Sequence, residues 1–168
     1  GSTWDIDGTN TYTDNMARVL AVSLLETLNG GTMADTFNVT GFRSATLNGG
    51  AGDDQLNMTA NGSFLNGPFD GDAGTDTVSL AGLTSTQSVT LTANGAVDGF
   101  DGSTSTVIGG FLNVDSVAGG AGTDTITGMD VVAIWEIDGT NTFEDDPTNR
   151  MLAFSDFENL QGGGLADR

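Results

Sequence analysis

The sequence predicts an all-β protein, a parallel β-solenoid (β-helix) of about eight coils with roughly 19 to 24 residues in each. Three observations lead there. A glycine turn with an aspartate behind it recurs along the chain, apolar residues two apart follow it, and one long segment occurs twice.

The turn recurs as "LNGGTMADTFNV" (Leu28 to Val39), "LNGGAGDDQLNM" (Leu47 to Met58), "FDGDAGTDTVSL" (Phe69 to Leu80), "VAGGAGTDTIT" (Val117 to Thr127) and "LQGGGLAD" (Leu160 to Asp167). The first glycines are Gly30, Gly49, Gly71, Gly119 and Gly162, so the gaps are 19, 22, 48 and 43 residues. The two long gaps are each about two units, which places further coils near "TANGAVDGF" (Thr92 to Phe100) and "WEIDGTN" (from Trp135). A unit this short cannot bury a core alone; stacking each coil on the next is the solution. Behind the turns stand Phe37 and Val39, Leu56 and Met58, Val78 and Leu80, with Val89 and Leu91 repeating the pattern. Period two puts each pair on the inner face of a strand and Asn38, Asn57 and Ser79 on the outer face.

At the longer scale "WDIDGTNTY" (Trp4 to Tyr12) returns as "WEIDGTNTF" (Trp135 to Phe143), 131 residues on, and "RVLAVSLLETLNGG" from Arg18 returns as "RMLAFSDFENLQGG" from Arg150. The chain is therefore one domain, residues 1–168, holding a full copy of a long repeat (4–134) and part of a second (135–168). A helix over Asp14 to Leu28, capped by Asp14 and stopped at Gly30, is the competing reading. Against it, "VIGGFLNVDSVAGG" (Val107 to Gly120) shares the ending but carries Gly109 and Gly110, each costing a helix about 1 kcal/mol.

Twenty-three acidic residues against four arginines give a formal charge of −19, which repels nucleic acid and anionic membranes and attracts cations. With no Cys, His or Lys, disulfides, thiolate or imidazole metal sites and the usual general bases are excluded. No apolar run reaches the roughly 18 residues of a membrane span. Chemistry is left to carboxylates, hydroxyls and backbone.

"GGAGDDQLN" (Gly49 to Asn57) and "GGAGTDTIT" (Gly119 to Thr127) fit the pattern G-G-x-G-x-D-x-U-x, and "GDAGTDTVS" (Gly71 to Ser79) departs only at Asp72. These segments resemble the calcium-binding nonapeptides of the RTX, or haemolysin-type, repeats. The resemblance implies Ca²⁺ held by turn carbonyls and aspartates: Asp54, Asp76 and Asp124, with Gly49, Gly50, Gly52, Gly71, Gly74, Gly119, Gly120 and Gly122 shaping the loops. Asp35, Asp72 and Asp167 are weaker candidates, since "GGTMADTFN" and "GGGLADR" carry Met33 and Leu165 at the third-glycine position. RTX repeats run in tandem, two per coil, whereas this chain has one motif per longer coil. Stacked about 5 Å apart, neighbouring aspartates would repel by roughly 0.8 kcal/mol in water and several-fold more near a protein. Bound Ca²⁺ relieves that, and so do outward rotation of the carboxylates into water or hydrogen bonds from turn N–H groups, so a purely structural Gly-Asp turn stays open as the other reading. Asp7 and Asp138, in the paired "IDGTN" segments, are turn formers first.

Other constellations are weaker. Asp53 with Asp54 and Asp145 with Asp146 are neighbours in sequence, and on a strand they face opposite ways, a poor acid–base pair; no enzyme is expected. The threonine pairs "TDT", "TNT" and "TLT" are similar to the ranks of ice-binding solenoids but fall irregularly. Trp4, Trp135, Tyr12 and Phe143 recur at matched positions and read as core anchors. Asn29, Asn48 and Asn66, each before a glycine, are candidates for an asparagine ladder.

"FSDFENLQGG" (Phe154 to Gly163), with the Gly-Asp turns, resembles the β-solenoid repeats of very large secreted bacterial adhesins and surface fibres. That resemblance implies an extracellular structural segment, a stiff spacer or filament unit joined head-to-tail to neighbouring repeats or copies of itself within a longer array. The alternative is a calcium-dependent polysaccharide- or ice-binding module, which would need one flat face with the same outward residues on consecutive coils.

Overall fold

The computed structural model describes residues 1–23 and 26–168. Among the described residues the secondary structure is entirely β. In chain order the strands are β1 (Thr3–Ile6), β2 (Thr11–Thr13), β3 (Val19–Ala21), β4 (Thr27–Gly31), β5 (Thr36–Val39), β6 (Phe42–Arg43) and β7 (Thr46–Ala51). There follow β8 (Gln55–Met58), β9 (Phe64–Leu65), β10 (Phe69–Ala73), β11 (Thr77–Ser79), β12 (Ser88–Asn94), β13 (Phe100–Thr104) and β14 (Val107–Val114). The last are β15 (Ser116–Ala118), β16 (Thr125–Thr127), β17 (Ala133–Glu136), β18 (Thr142–Asp145), β19 (Arg150–Ser155) and β20 (Asn159–Gln161). The competing helix over Asp14 to Leu28 is not formed: β3 and the start of β4 occupy that stretch, and Leu24 and Leu25 lie outside the described residues.

Two ten-stranded sheets face each other across the core. The first runs β17-β18-β19-β15-β11-β8-β5-β1-β2-β3, the second β20-β16-β12-β13-β14-β10-β7-β4 with β6 and β9 beside it. Copies of the short unit stack in parallel and in register. Trp4, Phe37, Leu56, Val78, Val117 and Phe154 align down the first sheet. Leu28, Leu47, Phe69 and Phe111 align down the second. The predicted inward pairs are all buried: Phe37, Val39, Leu56, Val78, Leu80 and Val89 are 0% exposed, Met58 1% and Leu91 2%. The rows interlock at Phe37 and Phe69, whose rings meet edge-on with centroids 6.0 Å apart.

The sheets are mixed rather than parallel throughout, which corrects the expectation of uniform coils. Three antiparallel meanders interrupt the stack: β1-β2-β3, β12-β13-β14 and β17-β18-β19. The two segments expected to be extra coils are hairpin turns within these meanders. Gly99 at φ 49° lets the chain reverse between β12 and β13, and Gly8 (φ 101°) and Gly139 (φ 106°) do so in the two Asp-Gly turns. A three-stranded meander restores the original strand direction, so parallel stacking resumes beyond it.

The repeated segments thus sit at opposite ends of one sheet, with seven strand spacings from β1 to β17. Trp4 meets Tyr12 with tilted rings at 4.5 Å as Trp135 meets Phe143 edge-on at 4.9 Å, and Phe143 is fully buried. The last residues begin on β17 the pairing that β5 makes on β1. Ala133 bridges Asp167 in parallel, and the Trp135 N–H donates to Arg168 O at 2.8 Å. The repeat is not perfect: Arg18 pairs with Asp14 at the surface, whereas Nη1 of its counterpart Arg150 donates to Gly95 O and Gly99 O.

Candidate functional site

The turn aspartates do not line a loop surface; they point inward and bind the backbone of the neighbouring turn. Asp35 Oδ1 accepts from the Ser2 N–H (2.6 Å), Asp54 Oδ1 from the Asp35 N–H (2.7 Å), Asp76 Oδ1 from the Asp54 N–H (2.7 Å) and Asp115 Oδ2 from the Asp76 N–H (2.9 Å). Each carboxylate therefore satisfies an amide that the turn leaves without a strand partner. Asp35, Asp54 and Asp76 are 3%, 1% and 0% exposed.

Their position also explains the first glycine of the motif. A Cβ on Gly49 would overlap Asp54 Oδ2, one on Gly71 would overlap Asp76 Oδ2, and one on Gly30 or Gly162 would overlap the carboxylate of Asp35 or Asp167. The five-residue spacing from glycine to aspartate folds the carboxylate back over the glycine Cα. Gly50 and Gly52 serve the other purpose, with φ of 102° and 117°. Asp72 aligns with Gly50 and adopts φ 67°, its N–H bonded to Asp70 Oδ1.

Asp124 lies elsewhere. The glycine turns at Gly30, Gly49 and Gly71 lead from the second sheet to the first, but the turn at Gly119, with Gly120 and Gly122, leads from the first to the second. Asp124 therefore stands on the opposite edge, in a second column: its Oδ1 accepts from Gln87 N–H and its Oδ2 from Gly120 N–H, while its own N–H donates to Glu158 Oε2. Asp167 sits at the end of the chain against Gly162, and its Oδ1 is buried without a hydrogen-bond partner.

The electrostatics differ along the first column. Burial pushes Asp54 up to about 6, against the bond from Asp35 N–H and with help from the nearby Asp35 and Asp53 charges. Burial pushes Asp76 up to about 7, opposed by the Asp54 N–H and reinforced by Asp54, Asp115 and Asp98. Asp115 is raised for the same first reason, while Arg150 pulls it down. Oδ2 of both Asp54 and Asp76 is buried without a hydrogen-bond partner.

One group of three acidic side chains, Asp76, Asp98 and Asp115, brings ligand oxygens within 4.8 Å of one another among the described residues. Asp98 and Asp115 carry no glycine motif of their own, so sequence reasoning missed them. Asp115 stands in "NVDSV", between β14 and β15, at the register of the turn aspartates; that alignment was the available signal. Asp98 reaches the group only through the β12-β13 hairpin, which the sequence does not announce. As for the implied calcium, both oxygens of Asp124 are engaged by amides, and Asp54 has no gathered partners. The donor set suits a hard cation best at Asp76.

The asparagine expectation is met in part. Asn48 Nδ2 donates to Asn29 Oδ1 at 2.7 Å, while Asn66 faces Ser44; a second rung joins Asn57 to Asn38. Asp7 Oδ1 accepts from Thr9 and Asn10 in a closed turn, and Thr140 N–H bonds Asp138 Oδ1 in its copy.

Searches against protein-family models, curated proteins and solved structures find no match to this chain.

Proposed function

We propose that this chain is a structural segment of a large extracellular bacterial surface protein, a stiff, acidic β-solenoid spacer or filament unit with no catalytic role. Its partners are neighbouring repeats, or copies of itself, joined head-to-tail. The observation that carries the reading is the placement of the two copies of the long repeat. They cap opposite ends of one sheet, and residues near Asp167 start on β17 the rung that β5 forms on β1. Backbone pairing, core rows and carboxylate columns all run along the stacking axis, so each added copy extends every one of them. The absence of cysteine suits a fold whose cohesion comes from stacking, and the charge of −19 keeps such a surface soluble and discourages lateral association.

Small-angle scattering tests the reading. Seven strand spacings of about 4.8 Å make a repeat about 34 Å long. A chain with residues 4–134 duplicated in tandem should show a maximum dimension about 34 Å greater at constant cross-section. Growth in cross-section at constant length would overturn the proposal.

A further inference from the structure

We infer that Asp76, Asp98 and Asp115 form a binding site for one hard divalent cation of calcium size, distinct from a series of equivalent sites in the glycine turns. Two observations meet here. The three carboxylates place ligand oxygens within 4.8 Å of one another, close enough for donors on a common ion. An irregular set of three carboxylates held by backbone suits the flexible coordination of Ca²⁺ at about 2.3–2.6 Å better than the near-ideal octahedron that Mg²⁺ demands. Independently, Asp76 is 0% exposed, yet its Oδ2 has no hydrogen-bond partner, and Asp98 Oδ1 is buried in the same state. Buried carboxylate oxygens without donors are costly unless a cation or proton completes them.

The rest of each carboxylate is already fixed by backbone. Asp76 Oδ1 takes the Asp54 N–H, Asp115 Oδ2 the Asp76 N–H, and Asp98 Oδ2 the Gly74 N–H at 3.2 Å. One oxygen of each side chain is thus anchored by a backbone amide, so the site is preorganised by neighbouring turns. A Cβ on Gly71 would strike both Asp76 Oδ2 and the Asn113 carbonyl oxygen, so a neutral oxygen borders the same space. The nearest basic influence, Arg150, acts on Asp115 while spending its Nη1 on Gly95 O and Gly99 O. Zinc-type ligands are absent from the chain, which leaves an all-oxygen site. The β12-β13 hairpin, which delivers Asp98, interrupts the parallel stack; the ion would tie that insertion to the column beneath it.

Calorimetric titration of chelator-treated protein with CaCl₂ tests this, with circular dichroism confirming that each variant keeps its strand signal. The expected result is one Ca²⁺ per chain, bound at least ten-fold more tightly than Mg²⁺, and weakened at least ten-fold by Asp98→Asn and by Asp115→Asn but not by Asp124→Asn. Asp98→Ser serves if Asp98→Asn fails to fold. Absence of binding overturns the inference, as does binding lost in Asp54→Asn and Asp124→Asn but retained in Asp98→Asn, which would locate the ion in the glycine turns. The head-to-tail reading stands or falls separately, because the scattering increment is measured in chelator.

Discussion

A glycine five residues before a buried aspartate is the unit from which this molecule is made. Gly49 and Asp54 show why: the carboxylate lies over the glycine Cα, and its Oδ1 holds the amide of Asp35 in the preceding turn. Gly49→Ala should cost about 1–3 kcal/mol from overpacking, and Asp54→Ala a similar amount from the orphaned Asp35 amide. The two losses should not add. In Gly49→Ala with Asp54→Ala the new methyl enters the space the carboxylate leaves, so denaturant melts of the double mutant should show a coupling of about 1 kcal/mol or more. Additive losses would mean that the glycine is required for backbone conformation alone. The sequence pattern contains the spacing but not this reason for it, because the same spacing is what a calcium loop displays.

At the scale of strands and turns, the carboxylates act as columns, and a column has a pH dependence. Asp54 and Asp76 titrate near 6 and 7 in the folded chain against 3.8 for a free aspartate. The folded state therefore binds more protons than the unfolded one between those limits. Stability in chelator should rise as pH falls from 8 through 7 and 6 toward 5. Thermal melts should show a higher Tm at pH 5 than at pH 8, with the difference reduced in Asp54→Asn; a Tm that is flat or highest at pH 8 would contradict the assignment. The strands themselves were largely legible. Period-two pairs such as Phe37 and Val39 named the inner face, because alternation is a local property of a strand. The meanders were not legible: "TANGAVDGF" has the length of a turn whether the chain goes on in parallel or doubles back. Which edge a turn occupies was equally hidden. Asp76 and Asp124 carry matching motifs, "GDAGTDT" and "GGAGTDT", yet stand on opposite edges, because the β12-β13-β14 meander and its flanking turns intervene. The gathering of Asp98 and Asp115 around Asp76 depends on that same insertion.

In the molecule as a whole, one long repeat carries the strand order forward by seven strands along one sheet. Thr9 and Thr140 are equivalent, exposed positions in the two copies of "IDGTN", and the chain has no native cysteine to compete for a label. Spin labels on Thr9→Cys with Thr140→Cys report the translation directly by pulsed dipolar spectroscopy. Seven spacings predict a single distance distribution centred near about 34 Å, apart from the reach of the labels. A distribution centred below about 20 Å, with the two copies side by side, would rule out this translation.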